Sequence, residues 1–444
     1  GTNDTTITTN DCGEIPPYLV PFKTFVSASE PDLDGNFSAT YTMTMINVGG
    51  LPTTYNLTDT PAPDVNITVN GAEVSGYATL SFTNAGPYTL ATAEPIGVGS
   101  NHVYTLTLDL TLGEGILAGT QLVSECVSGN FGFEANAGLF NQIVTVYGTN
   151  DVTITNTACG EVPPVIVFDK TFVSASPAAT NGEFVITYHV SVFNAGASSG
   201  FYDLEDTPNP DTNVTISGGT VSGYVTNLLA GPGTYFLATN ETIAAGATHT
   251  YVLALTGTLS QAVLDGAAFV SECASGQGGF TPEFGLYNEA TITYGTNDTT
   301  VTTNACGNIP PVLTITKDFV SASEADTNGL FTVAYTITVD NSGGTEEIYD
   351  LLDLPGPDTN VTVLGLSVSG HLALGFTGPG PYDFVTNETI AAGSTHVYSL
   401  ILTGQLSTAV LDGSVTVSVC GATAQIPQAG EGLYNLATIS VGTN

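Results

Sequence analysis

Basic residues are almost absent. The chain of 444 residues carries 3 lysines and no arginine against 41 Asp and Glu, for a formal charge of −38. Nucleic acid and anionic membrane surfaces find no basic patch on such a chain, so neither is an expected partner. Trp is missing, Met appears 2 times, and amphipathic helical runs are hard to find. No apolar run reaches the roughly 18 residues a membrane-spanning helix needs, so no membrane insertion is expected in this segment. CxxC spacing is absent and His does not cluster near Cys, so neither a metal nor any other cofactor is expected. No nucleophile–base pair recurs either, which argues against an enzyme with turnover. The acidity itself reads as a solvated surface, and the scarcity of Lys and Arg denies trypsin-like proteases their sites.

What the chain does have is Thr, Val, Gly and Asn, in short alternating segments broken by Gly, Pro, Asn and Asp. That pattern predicts an all-β protein. "GTN" recurs at 1, 148, 295 and 442, a step of 147 residues. "KTFVSAS", "KTFVSAS" and "KDFVSAS" keep the same step, as do "VSGYAT", "VSGYVT" and "VSGHLA". These are three copies of one domain, expected as tandem Ig-like β-sandwiches in an extended array, with the "IPP" stretches as stiff linkers. The expected boundaries are 13–159, 160–306 and 307–444, with 1–12 supplying a strand and a cysteine to a preceding repeat. The sequence opens and closes at the same phase of its repeat, which reads as a window of a longer polypeptide or a processed polymer subunit.

The three cations are Lys23, Lys170 and Lys317, one per copy at one position. In "VLTITKDFV" a period of two sets Leu313, Ile315, Lys317 and Phe319 on one face, so the lysine points at the core. Two further polar residues break the apolar face in the same way. "YNLTD", "YDLED" and "YDLLD" turn Asp59, Asp206 and Asp353 inward, and the strand of "LYNEATITY" type turns in Asn141, Asn288 and Asn435. A buried lysine loses its proton and becomes a nucleophile. A buried aspartic acid stays protonated and can polarise an Asn carbonyl. The trio is therefore read as an isopeptide-forming set: Lys and Asn are crosslinked, the acids promote the reaction, and ammonia leaves. The plainer alternative is a buried Lys–Asp pair capped by Asn.

At these residues the chain resembles a prokaryotic surface repeat, domain of unknown function eleven. The matching pieces are "LTITKDFVSA", "FTVAYTITVDNSGG", "YDLLDLPGPDTNVTV", "IAAGSTHVYSLILTG" and "GLYNLATI", in that order. The Lys, Asp, Asn order is also similar to the isopeptide-forming domains of Gram-positive adhesins and pili. Such resemblances imply an Ig-like fold and a cell-surface, extracellular stalk or fibre, with neighbouring copies or further repeats of the same chain as partners.

Cysteines at 12, 126, 159, 273, 306 and 420 are even in number and periodic, which implies disulfides. Two connectivities respect the repeat. Cys12–Cys126, Cys159–Cys273 and Cys306–Cys420 span 114 residues; Cys126–Cys159 and Cys273–Cys306 span 33 and leave Cys12 and Cys420 for neighbouring repeats. The shorter span requires "GTND" to turn a hairpin, so that "TTVTTNAC" folds back on the preceding strand. Asn66, Asn213 and Asn360 share one sequon position and are glycosylation candidates. His102, His249 and His396 follow Gly turns and are expected to cap them. "DLDGN" at 32–36 starts like a calcium loop but lacks its remaining ligands. An alternative function is an adhesive module binding a glycan or partner surface protein through the variable loops "ECVSGNFGFEANAG", "ECASGQGGFTPEFG" and "VCGATAQIPQAGEG".

Overall fold

The computed structural model describes residues 5–129, 132–276, 279–421 and 428–442. In the first copy, β1 (Leu19–Ala28), β2 (Asn36–Asn47), β3 (Thr53–Pro61), β4 (Ile67–Gly76), β5 (Leu80–Phe82), β6 (Tyr88–Ile96) and β7 (Asn101–Leu112) come first. A two-residue pair, β8 (Ser128–Gly129) and β9 (Gly132–Phe133), is followed by β10 (Asn141–Tyr147) and β11 (Val152–Ala158). The strands form two antiparallel sheets, in the orders β1-β2-β7-β4-β5 and β11-β10-β3-β6. The second copy repeats both sheets, and the third repeats the first sheet but has a three-stranded second one. The chain is all-β, built of two-sheet sandwiches.

Strict alternation explains the layering. Phe37, Ala39, Tyr41, Met43 and Met45 of β2 and Leu106, Leu108 and Leu110 of β7 point inward, against Leu57 of β3 and Ile143 of β10. Their polar neighbours face out, so each sheet has one wet and one dry side. Residues 148–151, "GTND", turn β10 back into β11, and Tyr147 pairs with Val152. The same hairpin joins Asn288–Tyr294 to Thr299–Ala305. The linkers do not hang free. Val162 and Ile309, just before the paired prolines, are fully buried, and the backbone around Pro163 lies so close to Gly196 that a Cβ there would collide with it. Among the described residues no helix is long and apolar enough to cross a membrane.

Candidate crosslinking site

β1 is the edge of the first sheet and lies beside β11, the edge of the second. Lys23 leaves β1 toward the interior, opposite Met43 in the ladder. Asp59 comes from β3 in the facing sheet, where it pairs with Ile143; Asn141, two residues earlier on β10, shares that inner face. Three strands from two sheets thus place one Lys, one Asp and one Asn at a single seam.

In every copy the lysine Nζ donates to the aspartate: Lys23 to Asp59, Lys170 to Asp206, Lys317 to Asp353. Both side chains are fully covered in the first two copies, whereas Lys317 keeps 10% of its surface. Asn288 Nδ2 donates to Asp206 Oδ1 at 3.0 Å and Asn435 Nδ2 to Asp353 Oδ2 at 3.1 Å. Asn141 makes no such bond. Among the described residues, the buried side-chain polar atoms without a partner are Asp59 Oδ1, Asn141 Nδ2 and Oδ1, Asn288 Oδ1 and Asn435 Oδ1. All belong to the trios. Every other buried side-chain nitrogen and oxygen among the described residues has a hydrogen-bond partner, as is usual in folded proteins.

Burial pushes the three lysines below their ordinary range, against the pull of the neighbouring carboxylates. It pushes Asp59, Asp206 and Asp353 above theirs, against the pull of the lysines. An aromatic ring completes the pocket: Tyr41, Tyr188 and Tyr335 stand 4.9, 5.0 and 5.3 Å from the respective Nζ atoms. Each tyrosine hydroxyl donates to the backbone carbonyl two residues before the asparagine, on Leu139, Leu286 and Leu433, and so holds the start of the Asn strand. The tyrosine carries no charge and follows the strand alternation, so the sequence offered no mark of this role.

The cysteines join in the 33-residue pattern, Cys126 to Cys159 and Cys273 to Cys306, while Cys12 and Cys420 are free and exposed. The bond fastens the end of β11 to the loop before β10. Gly138 sits at φ +48 directly under it, where a Cβ would lie 2.7 Å from Cys126 Sγ. A second buried carboxylate, absent from the sequence reading, braces the same loop. Asp64 accepts from the Ser124 backbone amide at 2.9 Å and also from its hydroxyl. Asp211 and Ser271, and Asp358 and Ser418, repeat the contact. The recurring "PD" and the Ser two places before each Cys were its only signals.

The histidines do not cap turns. His102 lies within the β2–β7 ladder, is buried, hydrogen-bonds the Tyr55 hydroxyl at 2.8 Å and stacks on Tyr77 with centroids 3.6 Å apart. His249 does the same with Tyr202 and Tyr224. In the third copy His371 takes the Tyr position and stacks on His396, with Glu388 2.9 Å from its Nε2. Parallel rings aim their in-plane lone pairs alongside one another, so this is a stacking replacement for tyrosine. Asp32 accepts from the backbone amides of Asp34 and Asn36, closing its own turn. Asn66 and Asn213 are half-buried, with Nδ2 donating to the carbonyls of Leu122 and Phe269; Asn360 Nδ2 donates to Asp358. Of the variable loops, residues 130–131, 277–278 and 422–427 lie outside the described residues.

No protein-family model matches the chain, and no curated protein matches it. Among solved structures it is similar to a red sea bream transglutaminase, at 10% identity over 67% of this chain and 31% of that one, with a TM-score of 0.18. It is also similar to the BSP domain of a biofilm associated protein, at 9% identity over 90% of this chain and 96% of that one, with a TM-score of 0.19. At these scores neither likeness carries an argument about fold or chemistry.

Proposed function

We propose that the chain is a structural segment of an extracellular cell-surface fibre or adhesin stalk, whose repeats harden themselves through Lys–Asn isopeptide bonds. The carrying observation is that, among the described residues, the buried side-chain polar atoms without a partner all fall in the trios. An Asn side-chain amide offers a carbonyl and an NH₂, and beside one Asp only one end finds a partner; turning the amide over exchanges which end is orphaned. An orphaned buried group costs about 1–3 kcal/mol. The reaction removes it.

A proton passes from the lysine ammonium to the carboxylate, leaving a free amine and a carboxylic acid, the forms that burial favours at both groups. The amine attacks Asn Cγ while the acid donates to Oδ1. The C–N bond to the amide nitrogen breaks, one proton of the attacking amine leaves with that nitrogen as ammonia, and the proton on Oδ1 returns to the carboxylate. The product is a secondary amide. Its N–H donates to one carboxyl oxygen and its C=O accepts from the other, so nothing stays unpaired. Proximity and exclusion of water are all this step needs. The amide then bridges the two sheets, and pulling force passes through it instead of through the ladder hydrogen bonds.

Intact mass of the reduced chain tests the reading. One ammonia should be missing from each of the first two repeats, with peptides joining Lys23 to Asn141 and Lys170 to Asn288. The third, where Lys317 is partly wetted, should lag. An unmodified mass would reduce the trios to buried polar clusters.

The pH dependence follows from the same shifts. In uncrosslinked Asn288→Ala, the folded Lys170–Asp206 pair shares one proton, because burial raises the acid and lowers the lysine while each group opposes the other's shift. Between the ordinary values of 3.8 and 10.5 the unfolded pair also holds one, on the lysine. Proton counts match, so the pair contributes no slope of stability with pH there. In the native sequence, ammonia release after refolding should likewise be nearly flat from about pH 5 to 9. A rate climbing tenfold per pH unit would mean a lysine titrating in water, and would rule this chemistry out.

A further inference from the structure

One sequon changes strands between copies. In the first copy "NLT" sets Asn56 and Thr58 on β3; at the same positions the other copies have Asp203 and Glu205, and Asp350 and Leu352. Those copies instead carry "NET", with Asn240 and Thr242, and Asn387 and Thr389, on the strands equivalent to β6, where the first copy has Ala93 and Pro95. Both members of the signal are lost at one place and gained at the other. The two places are one spot in the fold. Asn56 Oδ1 accepts from the Ala93 backbone amide at 2.8 Å, as Asp203 Oδ1 does from that of Asn240 at 2.5 Å and Asp350 Oδ1 from that of Asn387 at 2.7 Å. Every repeat thus carries an Asn-x-Thr there, on one side or the other of the same contact.

The spot is open. β6 is the outermost strand of the second sheet, and Tyr235–Ile243 and Tyr382–Ile390 hold that place in the other copies. Asn56, Asn240 and Asn387 are exposed, while Tyr55 and Leu57 on either side of Asn56 point into the core. Ala93, Asn240 and Asn387 sit at φ +47, +48 and +56, a left-handed bend that suits asparagine. Backbone conformation alone does not account for the pattern. Ala93 adopts the bend without a side-chain amide, and the bend asks nothing of a hydroxyl two residues on. The position shared by Asn66, Asn213 and Asn360 has less room. All three are half-buried, and Nδ2 of the first two donates to the carbonyls of Leu122 and Phe269, whose side chains lie against Gly246 and Gly393 of the following repeat.

We propose that Asn56, Asn240 and Asn387 are N-glycosylation sites, one on each repeat at the same outer corner of the sandwich. This rests on the reading of the chain as an extracellular segment. The donor is a saccharide carried on a lipid phosphate. The Asn amide nitrogen attacks the anomeric carbon, the C–O bond to the phosphate breaks, the nitrogen gives up one proton, and the lipid leaves as its phosphate. The new bond is made at Nδ2, so Asn56 keeps its Oδ1 contact with Ala93. A bulky polar saccharide beside an edge strand also hinders pairing with a second sheet.

The test is chymotryptic peptide mapping of the full chain recovered from the surface of the cells that make it, with electron-transfer fragmentation, which leaves a sugar on its asparagine. Glycan should be found on Asn56, Asn240 and Asn387. In the same cells, Thr242→Val should abolish the glycan on Asn240 and leave the other two in place. Exchanging the signal is the sharper variant. Asn56→Asp and Thr58→Glu, combined with Ala93→Asn and Pro95→Thr, give the first copy the second copy's residues and should move its glycan across the ladder to position 93. Three results would overturn the proposal: bare asparagines at all three positions, sugar on other sequons only, or a surface-recovered exchange variant whose first-copy glycan is lost instead of moved. Sugar without missing ammonia would sink the crosslink alone, and missing ammonia without sugar the glycan alone, so the two readings fail separately.

Discussion

Asn288→Ala should return one ammonia to the mass of the chain and make the second repeat the only one of the first two that yields to force. Lys170 and Asn288 are 118 residues apart. Closing a loop of that size removes unfolded-chain entropy worth about 5 kcal/mol, and at about 3–4 °C per kcal/mol for a domain of this size the repeat should melt about 15–20 °C lower. The mechanical effect is larger. With the amide in place, the chain between the two residues lies outside the path of force. Without it, that stretch can extend by about 400 Å. Single-molecule pulling of the chain with its disulfides reduced should show no such step from either of the first two repeats in the native sequence, and one in the variant. Full-length steps from both native repeats would remove the mechanical role.

The trio was legible because β-strands have a period of two. A lysine on an apolar face is conspicuous when the chain holds 3 basic residues, and the fixed step of 147 triples the signal. The all-β fold was legible for the same reason: alternation and turn residues act locally. What escaped depends on contacts distant in sequence. Asp64 and Ser124 are 60 residues apart, and no local pattern joins them. His102 was read from the Gly turn before it; its place beside Tyr55 depends on the two sheets meeting. The same holds for Tyr41, whose hydroxyl finds a carbonyl 98 residues on. The GTND hairpin lay between: its turn residues were visible, but the choice between folding back and running on depends on whether β10 has a free edge.

Asp206 separates a reactive trio from a merely buried one. Asp206→Ala should stop ammonia release from the second repeat and leave Lys170 enclosed beside a neutral amide and the Tyr188 ring. Removing one partner of a buried pair costs about 3–5 kcal/mol, and the lost crosslink adds about 5 kcal/mol to that. The combined loss is about 8–10 kcal/mol. It does not by itself identify the chemistry, because an orphaned lysine destabilises either way. The double variant Lys170→Met with Asp206→Leu does. It replaces both charges by apolar groups of similar size, which relieves the orphan. For a plain buried ion pair such a replacement is neutral or stabilising by about 1–4 kcal/mol relative to the native protein. For a crosslinked repeat it recovers only the charge penalty and stays about 5 kcal/mol below the native protein, because the loop is open. Denaturant unfolding of the native chain and the two variants thus gives opposite orders. Double variant above native means that the lysine is a structural cation; double variant between native and Asp206→Ala means that Lys170 is consumed in a bond. We expect the second order, in the first two repeats alike.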